Sequence, residues 1–138
     1  MREQGYPVAV SIDVQWGDMD AFGHVNNTQF FRWFESARIA YFEAVGLDAA
    51  AGPTGVAPIL ASTTCDFLAQ VAYPATVVCR AGVSRVGNTS FVMDYVVHRG
   101  ETLVARGSGV IVTLDYAAGS KVRVPDAVRA RIAALQDH

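Results

Sequence analysis

With 138 residues, 51% of them apolar and only 17% charged, the chain is long enough to close one hydrophobic core and too apolar for disorder. A formal net charge of −2 removes the general electrostatic reason to expect nucleic acid or an anionic membrane as partner. No apolar run is long enough to span a bilayer, and "MREQGYPVAVSIDVQW" lacks the apolar centre of a signal peptide, so a cytoplasmic protein is expected. Cys65 and Cys79 have no metal-ligand spacing and sit in apolar runs, which reads as free buried thiols and no metal. Lys121 is the only lysine; the other basic side chains are arginines, which suit bidentate contacts to phosphate or carboxylate.

In chain order, Val8–Trp16 alternates loosely and is predicted as a first strand. Thr28–Val45 is predicted as a helix, because Phe30, Phe34, Ala37, Tyr41 and Ala44 form one apolar stripe while Arg32, Glu35, Ser36 and Glu43 fall away from it. Gly46 is its natural stop. Asp48–Pro58, rich in Ala, Gly and Pro, reads as a loop. Ile59–Gln70, Thr76–Val86, Ser90–Arg99 and Thr102–Asp115 are rich in Val, Thr, Phe and Tyr and read as strands, broken by "AYPA", "GNT" and "RGE". The last two breaks are short enough for hairpins between antiparallel neighbours. Pro125–Gln136 is predicted as a short terminal helix with proline in its first turn. This order implies one α+β domain over residues 1–138, an antiparallel sheet covering the stripe of the long helix, and a sheet face or edge left for self-association.

Between the first strand and the helix lies "GDMDAFGHVNN", Gly17–Asn27. Asn26, Asn27 and Thr28 all have N-cap chemistry, Gly17 and Gly23 suit a tight loop, and Asp18 and Asp20 sit near the positive end of the helix dipole. Taken so, the stretch is a helix start and nothing more. The same physics also builds a site. The first N–H groups of a helix have no intrahelical partner, so a carbonyl placed before them is polarised as in an oxyanion hole. A carboxylate on the preceding loop can attack that carbonyl, or deprotonate a water that does. Asp18 and Asp20, two apart in an extended segment, point to opposite sides and do not share a role.

The segment "WGDMDAFGHVNNTQFFRWFESAR" resembles the signature of the hotdog-fold acyl-CoA thioesterases of the 4-hydroxybenzoyl-CoA thioesterase type. The helix with its "ESAR" and the long strands after it follow that family's order over most of the chain. The resemblance implies a hotdog fold, a curved antiparallel sheet of about five strands wrapped around one long central helix. It also implies hydrolysis of an acyl-CoA thioester to free acid and coenzyme A, with no metal or other cofactor. Carried over by position, Asp20 matches the catalytic carboxylate, and Asn27 the residue whose backbone N–H polarises the thioester carbonyl. Phe22, Gly23 and Val25 fall among substrate-lining positions. His24 takes a catalytic role, positioning water or donating to the thioester, or else a structural or substrate-lining one; it marks a branch distinct from that of the 4-hydroxybenzoyl enzyme, so an aromatic acyl group is not implied. Asp18 is given no chemical role and reads as a loop-organising acceptor, Asn26 as a cap or loop tie. Glu35, the position of a helix base in another hotdog branch, stands three residues before Arg38 and is read as its ion-pair partner.

In that family the pantetheine arm runs between two subunits, so a homodimer or homotetramer with sites at the interface is implied. "SRVGNTSF", Ser84–Phe91, matches in placement the hairpin lining the channel, which makes Arg85, Asn88, Thr89 and Ser90 candidates for substrate binding; plain turn chemistry at Gly87-Asn88 is the alternative. Arg80, Arg99, Arg106 and Arg123 are further phosphate candidates that the sequence does not rank. The acyl pocket is expected beside the helix start, among Phe22, Phe30, Ile59 and Phe67, each of which reads equally well as core. Three other activities fit the same residues: hydrolysis of a carrier-protein thioester, a hydratase or dehydratase using Asp20 with His24, and acyl-thioester binding without catalysis.

Overall fold

The computed structural model describes residues 5–47 and 55–137. Five strands, β1 (Val8–Asp13), β2 (Val56–Phe67), β3 (Thr76–Val86), β4 (Ser90–Arg99) and β5 (Thr102–Asp115), form one antiparallel sheet in the order β1-β3-β4-β5-β2. Two helices, α1 (Asn27–Val45) and α2 (Asp126–Gln136), and a 3-10 turn at Trp16–Asp18 complete the described elements. Among the described residues no helix is long and apolar enough to cross a membrane.

Strands β3, β4 and β5 have the predicted bounds, because turn residues at Gly87–Thr89 and Gly100–Glu101 end them by local chemistry. The first strand is shorter than predicted: the chain leaves the ladder after Asp13 and enters the 3-10 turn, where Asp18 Oδ2 accepts the Gln15 N–H at 2.8 Å. β2 lies three residues earlier than predicted, its register running from Val56 opposite Asp115 to Phe67 opposite Ala105. Leu68 and Ala69 instead both donate to the Val104 carbonyl, at 2.9 and 3.1 Å, and so lead the chain away from the sheet. Of the predicted loop at Asp48–Pro58, residues 48–54 lie outside the described residues, and Val56–Pro58 are strand, with the proline tolerated on a sheet edge.

Helix α1 buries Phe30, Trp33, Phe34, Ala37, Arg38, Tyr41 and Val45. The stripe therefore ends on Val45, and Ala44, predicted on it, is exposed. At 3.6 residues per turn, a face that runs 30, 34, 37, 41 continues to 45, a step of four, before Gly46 closes the helix at φ +84°. The helix rests chiefly on β3 and β1, with the Phe34 ring stacked on Tyr95 of β4 at 4.6 Å and 9°. It meets β2 through Phe30 and Phe31 on Phe67, yet Leu60 and Phe67 of that strand remain 38% and 40% exposed. Helix α2 is anchored by buried Val128 and Ile132 and by Gln136, whose Oε1 accepts from Tyr41 Oη at 2.7 Å and from Val83 N–H at 2.9 Å. The same side chain donates from Nε2 to Gly5 O at 3.2 Å, so the glutamine ties α2 to α1, β3 and the approach to β1.

Candidate active site

The Gly17–Asn27 stretch folds into a closed loop held by its own backbone. Asp20 N–H donates to the His24 carbonyl at 2.9 Å, Gly23 N–H returns to the Asp20 carbonyl at 3.0 Å, and Met19 pairs with Val25 as an isolated bridge. Gly23 takes φ +80°, the left-handed conformation that this turn requires. Val25 is buried and ties the loop to the next layer by donating to the Val71 carbonyl at 2.7 Å. Asp18 organises the loop as expected: its carboxylate accepts from Gln15 and its carbonyl accepts the Asn26 N–H at 2.9 Å.

Asn26 is the N-cap of α1. Its Oδ1 accepts Thr28 N–H at 3.0 Å and Thr28 Oγ1 at 2.9 Å, while its carbonyl takes the Gln29 N–H at 2.9 Å. Asn27 is then the first helical residue, and its N–H has no acceptor among the described residues. Asp20 holds Phe22 N–H on Oδ1 at 2.9 Å, which orients the carboxylate and leaves Oδ2 unspent among the described hydrogen bonds.

These groups share one open cleft of ≈ 420 Å³, lined by Asp20, Phe22, His24, Val25, Asn27, Phe30, Phe67 and the segment Leu68–Val71. Phe30 is 2% exposed and meets Phe67 edge-on at 5.2 Å; Phe22, 86% exposed, stands at the mouth. His24 is half-buried. The cleft thus joins a carboxylate and a free helix-start donor to an apolar wall, a combination suited to a polarised carbonyl with an apolar substituent.

Of the residues predicted for the acyl pocket, Ile59 is not in the cleft: it sits opposite Val112, toward the other end of β2, and is 43% exposed. Its place is taken by Leu68–Val71, of which Leu68–Gln70 are predicted as strand; no local signal marks Gln70 as a cleft residue. Arg99 holds this segment by donating to the Gln70 carbonyl at 3.0 Å, and so is placed as a structural tie. Glu35 lies outside the cleft lining, 59% exposed and 3.9 Å from Arg38, which bears out the pairing reading. The Arg38 guanidinium, buried, also donates to Tyr95 Oη at 3.3 Å. Burial pushes the Tyr95 phenol pKa up, with that hydrogen bond pulling against it.

Arg85, Asn88, Thr89 and Ser90 are not brought to this cleft within one chain. Ser90 lies opposite Val112 on β5, whereas Phe67 lies opposite Ala105. The two sites are therefore about seven residues, or ~23 Å, apart along one strand. Arg123 is at the hairpin, 3.4 Å from Asn88 Oδ1, whereas Arg106 is paired in register with Asp66. Among the described residues no group of three or more His, Cys, Asp or Glu side chains is gathered to hold a metal ion.

Comparison with known proteins identifies the family. A thioesterase from Thermus thermophilus, solved with coenzyme A and Zn, superposes with a TM-score of 0.85 at 30% identity, over 99% of this chain and 98% of that one. A thioesterase superfamily structure from Jannaschia sp. CCS1 gives a TM-score of 0.85 at 30% identity, over 94% and 82% of the two chains. The uncharacterized protein YsmA of Bacillus subtilis (strain 168) is 30% identical over 119 residues, 83% of this chain and 78% of that one. The model of the thioesterase-like superfamily matches residues 14–132, from the end of β1 into α2, and the chain belongs to that superfamily.

Proposed function

We propose that the chain is an acyl-CoA thioesterase of the hotdog type, with α1 as the central helix of the fold, converting an acyl-CoA and water to a free carboxylic acid and coenzyme A. The observation that carries the reading is the position of Asp20 and the unpartnered Asn27 N–H on one apolar-walled cleft, in a chain of this family. The thioester carbonyl oxygen accepts from Asn27 N–H at the positive end of α1, where developing negative charge is stabilised. The acyl substituent lies against Phe30 and Phe67. The Asp20 carboxylate attacks the carbonyl carbon, so that the C–S bond breaks to leave an Asp20 acyl anhydride that water hydrolyses to the free acid and the restored carboxylate, or it takes a proton from a water that adds to the carbonyl directly before the C–S bond breaks; in either route the thiolate is protonated as coenzyme A leaves. A thioester is already reactive, so orientation, one carboxylate and one or two donors are enough. His24 lines the same space. Its bond to Asp20 in the described structure is through the backbone, while the carboxylate is held by Phe22, which favours hydrolysis over a hydratase built on an Asp–His side-chain pair.

The active unit in this reading is a homodimer. β2 forms one edge of the sheet, and its Leu60 and Phe67 are 38% and 40% exposed. A second copy pairing antiparallel along β2 covers this surface. The two-fold then sets the Phe67 end of one β2 beside the Ile59 end of the other. Because Ile59, Val112 and Ser90 are consecutive in register across β2, β5 and β4, the hairpin of one protomer comes to the cleft of its partner. Arg85, Asn88, Thr89 and Ser90 are then placed to meet the pantetheine arm or phosphates.

Free-thiol release from a panel of acyl-CoAs, with wild type and Asp20→Asn side by side, tests the reading. Turnover by the wild type that falls at least about a hundredfold in a folded, dimeric Asp20→Asn protein is the expected result. Near-wild-type hydrolysis by Asp20→Asn removes Asp20 from the mechanism. In single turnover in oxygen-18 water, label found on Asp20 marks the covalent route, because only water attacking the Asp20 carbonyl of the anhydride puts it there.

A further inference from the structure

We infer that Arg129, on α2, is a positioning residue: it fixes the Gly87–Ser90 turn in the shape with which one protomer binds the coenzyme A of its partner's site. The inference rests on the thioesterase reading above and on its two-fold seam along β2.

Arg129 is half-buried, and every acceptor it has among the described residues is a backbone carbonyl. Its Nε donates to Val124 O at 3.0 Å; its Nη2 donates to Gly87 O at 2.5 Å and to Asn88 O at 2.9 Å. One guanidinium thus joins the approach to α2 to two successive carbonyls of the β3–β4 turn, using the fork geometry that lysine lacks. The turn is held further by Val124 N–H on Asn88 O at 2.9 Å and by Thr113 N–H on Thr89 O at 2.9 Å.

The distribution of spent and unspent groups is what gives this a function. The carbonyls of Gly87, Asn88 and Thr89 are all occupied by their own protomer. The Arg85 guanidinium and the Thr89 and Ser90 hydroxyls have no hydrogen-bond partner among the described residues, and Arg85 is exposed. The turn therefore keeps its side-chain donors for something outside the protomer, and phosphate oxygens and pantetheine amides are acceptors of that chemistry. Within the turn itself the closing bond is Gly87 N–H to Ser90 O at 2.7 Å. Glycine adds conformational freedom there, so without Arg129 the turn must be ordered on binding. That cost falls on substrate affinity. It does not fall on the chemical step, because Asp20 and Asn27 belong to the other protomer's loop.

The test compares an acyl-CoA with the N-acetylcysteamine thioester of the same acyl group, which lacks the nucleotide and most of the pantetheine arm. Folded, dimeric Arg129→Ala is expected to raise KM for acyl-CoA about tenfold or more with kcat within about twofold, and to leave the truncated thioester's KM unshifted. Arg129→Lys, keeping the charge but not the fork that reaches Val124 O and the turn together, falls between and holds the test open should the alanine variant fold poorly. Mixing Asp20→Asn with Arg129→Ala gives the trans readout. A mixed dimer contains one site with an intact Asp20 and an intact hairpin, so low-KM activity that neither variant has alone appears on mixing. An unchanged KM in both Arg129 variants, an equal loss on both substrates, or no recovery on mixing overturns the inference while leaving the thioesterase reading in place. A wild type inactive on every acyl-CoA overturns both.

Discussion

Replacing Asn27 by proline removes the amide hydrogen that the mechanism uses together with the side-chain amide, for which Asn27→Ala is the control, and the local backbone is already shaped to accept the change. Asn27 is the first residue of α1, the helical position where proline is tolerated because its N–H is unpaired in any case. The residue before a proline must be extended, and Asn26 has φ −63° and ψ 138°. The cap itself, Asn26 Oδ1 on Thr28 N–H and Oγ1, is untouched. Stability is therefore expected to stay within about 1 kcal/mol, with a small gain through the less flexible unfolded chain. Loss of an oxyanion-hole donor elsewhere costs about 2.7–4 kcal/mol, so kcat for acyl-CoA hydrolysis should fall by roughly 10²–10³. Asn27→Ala keeps the N–H and should retain most of the activity. The assay is thiol release under saturating acyl-CoA, with thermal unfolding as the control. A folded Asn27→Pro with near-wild-type kcat would refute the helix start as oxyanion site. A fall in Asn27→Ala as deep as in Asn27→Pro would transfer the role to the side chain.

Two further outcomes test the scaffold. A Cβ on Gly107 would lie 2.5 Å from the Thr64 carbonyl oxygen and press into the Phe34 ring, so Gly107→Ala should destabilise by about 1–3 kcal/mol; thermal unfolding should show a drop of roughly 3–12 °C, and an unchanged Tm would mean that helix and sheet are less tightly apposed. The Cys65 thiol is pushed up to about 11, mainly by burial and then by Asp66, so at pH 8 its alkylation should run about a hundredfold slower in the folded than in the unfolded protein. Because the folded pKa lies above the thiol's ordinary value of 9.0, its contribution to stability is present below pH 9 and is lost as pH rises through about 11; mass spectrometry of alkylation against pH reads the first effect, and Tm against pH the second.

Local signals in this chain reach as far as local physics does. Turn residues at Gly87-Asn88 and Arg99-Gly100 fixed the hairpins to the residue, and the apolar spacing from Phe30 to Tyr41 gave the buried face of α1. The Asp20 loop was legible because the bonds that shape its turn and cap, from Asp20 to Phe22, Gly23 and His24 and from Asn26 to Thr28, close within a few residues, so composition alone dictates a loop ahead of a helix N-terminus. Ile59 and Leu68–Gln70 depart from the sequence expectation for the complementary reason. Which of them faces the cleft depends on where β2 stops pairing with β5, a register set by partners some forty residues away along the chain. The same holds for Arg129 and Gln136, whose sequence neighbourhood is an ordinary amphipathic helix and whose roles come from carbonyls and amides of the β3–β4 hairpin. Chemistry carried by adjacent residues was thus determined by the sequence by itself; the cleft's second wall, and the separation of the hairpin from the cleft of its own chain, were decided only when the sheet brought distant backbone into register.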